Sequence, residues 1–167
     1  MHLEFKRITS NDDPFMKDVV EIMDAQSRVD MGHHGPEGIE FHSQEFFVVS
    51  YLEKKPVGLI WCQAYSPPRK RIEIYQYITH PLLRNRRMPL YLTRHICSWA
   101  AHHGFSKVII PNAVRRMQII IDYMKANPRM IYSREGVPKK AENITRIGNY
   151  VSIRIRPRNS RRKNRVR

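Results

Sequence analysis

A chain of 167 residues with 41% hydrophobic and 27% charged side chains has the length and composition of one globular domain and not of a disordered one. Its apolar runs are too short for a membrane-spanning helix, and its early acids argue against a secretory signal or an Arg-rich transit peptide. The net charge of +15 is unevenly placed: residues 1–50 hold four basic residues against ten acids, a net −6, and residues 51–167 carry +21. Acids segregated from bases in this way point to a polyanionic partner on one side of the molecule. The two cysteines, Cys62 and Cys97, are too few for a disulfide framework and lack metal-ligand spacing. They are expected to be small core residues in a reduced, intracellular protein, with no metal site.

In chain order, His2 to Ile8 alternates as a strand does, and Ser10 to Pro14 reads as a helix start, with a polar cap and a proline in the first turn. Val19, Val20, Ile22 and Met23 supply the apolar face of that helix, which should run to about Val29. Residues 31–44 read as a loop containing His33, His34 and His42, which are solvent-exposed or, alternatively, catalytic. Glu45 to Leu52 and Val57 to Tyr65 form a hairpin through Glu53-Lys54-Lys55-Pro56. A third strand, Arg71 to Thr79, follows Pro67-Pro68. Leu90 to His103 is a helix closed by Gly104, Phe105 to Ile110 a strand, and Ala113 to Ala126 a second helix stopped by Asn127-Pro128. Met130 to Ser133 and Tyr150 to Ile155 complete the strands. The order predicts an α+β or mixed α/β fold with a central, mostly antiparallel sheet.

The most informative stretch is Tyr77-Ile-Thr-His-Pro-Leu-Leu-Arg-Asn-Arg-Arg-Met-Pro-Leu-Tyr-Leu-Thr93. A strand, an arginine-rich turn and a helix N-terminus in that order offer backbone N–H groups to a pyrophosphate. The stretch resembles motif A of the GCN5-related N-acetyltransferases (GNAT), where a strand ending in x-His-Pro meets Arg-Gly-x-Gly-x-Gly and binds acetyl-CoA. Phe46 to Ile60 is similar to the family's Pro-Val-Gly hairpin, Trp99 to Ile110 to the end of the motif A helix and the next strand, and Asn112 with Tyr123-Met-Lys-Ala-Asn127 to motif B. The resemblance implies a GNAT-like sheet splayed between its fourth and fifth strands, within a domain of residues 1–157.

The resemblance assigns cofactor positions to Ile78, Thr79, Arg84, Asn85, Arg86, Arg87, Met88, Pro89, Leu90 and Asn112. It nominates Glu73 as general base and Tyr123 as general acid. On the residues alone, Glu73 reads equally as a strand glutamate beside Arg71, and Tyr123 as a half-buried aromatic on an amphipathic helix. The family's three glycines fall at Asn85, Arg87 and Pro89. Pro89 lacks an N–H, and the other two carry side chains where close backbone approach is needed. Acetyl-CoA is therefore expected to bind weakly or not at all, unless Arg84, Arg86 and Arg87 replace backbone donors with guanidinium groups.

Residues 158–167 form a basic arm carrying Arg158, Arg161, Arg162, Lys163, Arg165 and Arg167. With Arg115 and Arg116 it is expected to contact nucleic acid or another polyanion. Two functions are compatible with these features. The first is a GNAT scaffold with lost or altered chemistry in a nucleic-acid-rich assembly, a virion or ribonucleoprotein. The second is an active acetyl-CoA-dependent N-acetyltransferase acting on a primary amine of an acidic or nucleic-acid-associated substrate.

Overall fold

A computed structural model describes residues 2–27, 41, 44–81, 87–110, 115–127 and 144–155, with the side chains of 115–120 excepted. Its elements are β1 (Glu4–Ile8), α1 (Met16–Ser27), β2 (Glu45–Leu52), β3 (Lys55–Tyr65), β4 (Arg71–Thr79), α2 (Met88–His102), β5 (Lys107–Ile110), α3 (Arg115–Ala126), β6 (Ile144–Ile147) and β7 (Tyr150–Arg154). The strands lie in the order β1-β2-β3-β4-β5-β7-β6. Antiparallel register joins β1–β2, β2–β3, β5–β7 and β6–β7, and β4–β5 is parallel. This is the expected α+β fold. The β4–β5 register runs from Arg71↔Lys107 to Glu73↔Ile109.

The chain divides into two compact units, one of residues 1–63 and 75–92 and the other of 64–74 and 93–167. In the first, alternation buries Ile8, Phe47, Val49, Leu59 and Ile78 from the strands against Val19, Ile22 and Met23 of α1. Helix α1 begins later than its polar signals imply. Asp13 Oδ1 accepts the Phe15 N–H at 2.9 Å and Asp13 O accepts that of Met16 at 2.9 Å, so Asp13 closes a turn before the helix. Asp18, nearly buried in the first turn of α1, takes a 2.6 Å hydrogen bond from the Tyr51 hydroxyl and fastens the helix to β2. Burial and the adjoining carboxylate raise the Tyr51 phenol well above its ordinary range.

The β2–β3 turn is tighter than the sequence indicates. Leu52 pairs with Lys55, and the two intervening residues, Glu53 (φ 51°) and Lys54 (φ 65°), are both left-handed, as a two-residue hairpin of right-handed twist demands. Pro56 is consequently inside the strand, at the register shift between Ser50 and Tyr51, where a missing N–H is tolerated.

In the second unit Ile72, Val108 and Ile153 face one another across β4, β5 and β7 and are fully buried. Helix α2 ends as expected at Gly104 (φ 80°), with the Phe105 N–H on Ala100 O at 2.9 Å closing a Schellman turn. The strand pairing with β7 is Ile144–Ile147, joined to it through Gly148-Asn149. Alternation of Ile144 and Arg146 before a Gly-Asn turn is the signal that would have revealed it. The strand expected at 130–133 lies outside the described residues.

Candidate acetyl-CoA and acceptor sites

The end of β4 and the start of α2 carry the cofactor positions expected in the first unit. Ile78 is buried in the core and Thr79 is half-buried. Arg84, Asn85 and Arg86 lie outside the described residues. At Arg87 the backbone is left-handed, with φ 54°. An L-residue with a side chain is strained there, whereas glycine is not. Arg87, aligned with a family glycine, thus holds a conformation that favours glycine.

Arg87 is also the N-cap of α2, which starts two residues earlier than the sequence indicates. Its carbonyl accepts the N–H of Leu90 at 3.0 Å and of Tyr91 at 3.3 Å. Leu90's donor is therefore committed to a tight first turn, and Pro89 has none. The helix dipole of 15 residues remains, but the amide cradle is thinner than a glycine loop provides. A phosphate is compatible with this site only if side-chain cations do more of the holding.

The helix start is fixed in place from below. Met88 is fully buried, and its Sδ receives the Ser50 hydroxyl at 3.4 Å while that hydroxyl also lies 3.0 Å from Gly58 O. A Cβ on Gly58 would come within 2.8 Å of Met88 Cγ, so Gly58 is needed for close approach and not for a special φ.

Strand β4 is irregular before it reaches the loop. The His80 N–H donates to Val57 O at 2.9 Å, and Ile78 joins Leu59 in the same core cluster, with Trp61 packed against it. Strict alternation would put Tyr75, three residues before Ile78, on the opposite face of the strand. Its ring instead meets Trp61 edge-on with centroids 6.2 Å apart, and its hydroxyl donates to Gln63 Oε1. Side-chain alternation therefore slips by one residue between Tyr75 and Ile78, a β-bulge at Gln76-Tyr77. Phe41, Phe47, Trp61 and Tyr75 form a continuous aromatic file, with Tyr75 40% exposed at its end. The Trp61 Nε1 is buried with no hydrogen-bond partner among the described residues.

Of the catalytic candidates, Glu73 and Tyr123 belong to the second unit. Glu73 is half-buried, and its Oε1 is 2.6 Å from Arg71 Nη2. The ion pair orients the carboxylate, and a base at this position has to act beside a guanidinium. Tyr123 is half-buried on α3, and its carbonyl accepts both the Asn127 N–H at 2.9 Å and the Asn127 side-chain amide at 3.1 Å. Asn127, where the family has glycine, thus caps the helix with its side chain. Asn112, the histidines at 33, 34 and 42, and all six basic residues of the 158–167 arm lie outside the described residues. Arg115 and Arg116 open α3.

The cysteines behave as expected: both are buried, and burial pushes both thiols up, so neither is a ready nucleophile. Among the described residues no three His, Cys, Asp or Glu side chains group as metal ligands. Also among them, no helix is long and apolar enough to cross a membrane.

The sequence profile of the Acetyltransferase (GNAT) family matches residues 16–117, more than half of the chain. The protein belongs to that family. Solved GNAT structures share its fold at low sequence identity. The putative N-acetyl transferase YhhK from E. coli, bound to coenzyme A, is 12% identical, with a TM-score of 0.59 over 92% of this chain and 99% of that one. The PaiA N-acetyltransferase from Thermoplasma acidophilum, in complex with coenzyme A, is 10% identical with a TM-score of 0.56 over the same shares. The aminoglycoside acetyltransferase meta-AAC0020 from an uncultured soil metagenomic sample, in complex with sisomicin, is 15% identical with a TM-score of 0.57 over 81% and 93%. Comparison with curated protein sequences finds no significant match.

Proposed function

We propose that this GNAT protein is an acetyl-CoA-dependent N-acetyltransferase whose phosphate grip rests more on arginine side chains than on glycine amides. The observation that carries the reading is the left-handed Arg87. Strained backbone persists where its surroundings impose it, and such positions concentrate at functional sites. A loop released from cofactor binding has no reason to keep a glycine conformation under an arginine.

Acetyl-CoA supplies the activated acyl group. Arg84, Arg86 and Arg87 would neutralise its phosphates, and the α2 N-terminus would add its dipole. Glu73 would take the proton from the acceptor ammonium, and Tyr123 would hold a proton for the sulfur that leaves. The acceptor is proposed to be a primary amine on an acidic or nucleic-acid-associated molecule inside the cell, matching the +21 carried by residues 51–167.

Pro89 favours a second reading, a GNAT scaffold without catalysis serving as an interaction component of a virion or ribonucleoprotein, because a missing donor weakens any backbone-based phosphate site. Titration calorimetry with acetyl-CoA separates the two. The enzyme reading expects micromolar binding that weakens on Arg84→Ala and Arg86→Ala. Absence of any binding heat at millimolar acetyl-CoA would leave the scaffold reading in possession.

A further inference from the structure

Three adjacent strands of the second unit set like charges side by side. Arg71 pairs with Lys107 across the β4–β5 ladder, and Lys107 pairs with Arg154 across β5–β7. Register partners project from the same face of a sheet. The following row, Ile72–Val108–Ile153, points to the opposite face and is fully buried, so the cationic row is turned away from that core. Lys107 and Arg154 are exposed, and the Arg71 side chain is 32% exposed. With strands spaced by ~4.8 Å, the three positions span roughly 10 Å.

Like charges directly opposite on neighbouring strands cost stability. Of these three cations, only Arg71 has an acidic partner among the described residues, and that partner is Glu73. The row continues into the turn before β4, where Arg69 and Lys70 are both exposed. Lys70 O accepts the Ser106 N–H at 2.8 Å, which ties this turn to the start of β5. Arg69 and Arg71 bring their guanidinium carbons to 5.5 and 5.0 Å from the centre of the Tyr65 ring.

We infer that this row is a binding surface for the phosphodiester backbone of a nucleic acid. A compact anion can neutralise one or two of these cations, whereas closely spaced phosphates engage the whole row and release the counterions condensed on the nucleic acid. Tyr65, with two guanidinium groups over its ring, adds aromatic and cationic surface against which bases can stack, which an acidic protein has no use for. The inference rests on the polyanionic partner proposed above but assigns it to residues other than Arg115, Arg116 and the C-terminal arm.

The test is fluorescence anisotropy of a labelled oligothymidylate with the full chain, the triple variant Arg69→Gln/Lys107→Gln/Arg154→Gln, and the chain lacking residues 158–167. Arg71 is left intact because it holds Glu73. The triple variant should bind about tenfold more weakly. Its slope of log affinity against log salt should fall by about 2, near 0.7 for each of three single-strand phosphates left without a cation. Its melting temperature should stay level or rise, since the opposition of like charges is relieved. Unchanged affinity in the triple variant, with weaker binding by the truncated chain, would overturn the row while the polyanion partner stood. No binding by the full chain would overturn both. Displacement of the oligonucleotide by polyglutamate at equal charge concentration would overturn the assignment to nucleic acid.

Discussion

Met88, the first residue of α2, occupies the space that a side chain on Gly58 would need: the separation from an added Cβ to Met88 Cγ would be 2.8 Å, and to Ser50 Oγ 3.1 Å. The middle of the Pro-Val-Gly hairpin and the start of α2 are thereby packed as one piece. Gly58→Ala should destabilise the protein by about 1–3 kcal/mol through overpacking. Met88→Ala should cost a similar amount by leaving a cavity. Combined, the two changes should cost less than their sum, because each makes room for the other. Strict additivity in denaturant titrations would show that the two side chains do not compete.

Arg87 gives a prediction in the opposite direction. At φ 54° glycine is favoured over arginine by about 1 kcal/mol, so Arg87→Gly should raise the melting temperature. Arg87→Val, with a branched Cβ, should lower it. Pro89→Ala would restore an N–H in the first turn of α2. A backbone bond to a phosphate is worth about 1.5 kcal/mol or more, so acetyl-CoA should bind roughly tenfold tighter to this variant. Calorimetry showing no gain would mean that the first turn does not face the phosphates.

His95, half-buried on α2, titrates below its ordinary range. Burial alone lowers it from 6.5 to about 4. Above pH 6.5 it is neutral folded or unfolded and costs nothing. Between pH 6.5 and 4 the unfolded chain takes up a proton that the folded chain refuses, so stability falls as pH falls, and it levels off below 4. At about 1.4 kcal/mol per pH decade the full loss is of the order of 3 kcal/mol. His95→Gln should flatten this part of the stability profile measured by chemical denaturation. An equally steep profile in the variant would assign the acid sensitivity to other groups.

Glu73→Gln keeps the volume and most of the polarity beside Arg71 but cannot accept the proton. If the acetyltransferase reading holds, kcat should fall by about 10²–10⁴ with the melting temperature little changed. Tyr123→Phe should reduce kcat less at high pH, where the departing thiolate needs no proton. A Glu73→Gln enzyme with full activity would reduce the residue to a structural partner of Arg71.

Much of this protein is decided by local pattern. Alternation along Lys107–Ile110 predicts a strand because one face of it is buried, and the β-rich run Glu45–Leu52 predicts one that is buried on both faces. Gly104 predicts the end of α2, because a left-handed C′ residue costs glycine little. The order of elements, together with His80-Pro81 and Gly58, identifies the fold family, and the uneven charge predicts a polyanion partner. Local pattern misleads where a backbone conformation is imposed from a distance. Glu53 and Lys54 are poor left-handed residues by propensity, yet the twist of β2 and β3 forces both into that region. The same holds for Arg87, which stands where the family has glycine and nevertheless takes a left-handed backbone. The slip between Tyr75 and Ile78 leaves no trace in the alternation of residues and follows from which rings and hydroxyls β4 meets on β3. Nor does chain order place Arg71, Lys107 and Arg154 together. They lie far apart in sequence, and only the pairing of β4, β5 and β7 brings their charges to one row, since register between strands is set by the burial of Ile72, Val108 and Ile153 on the other face.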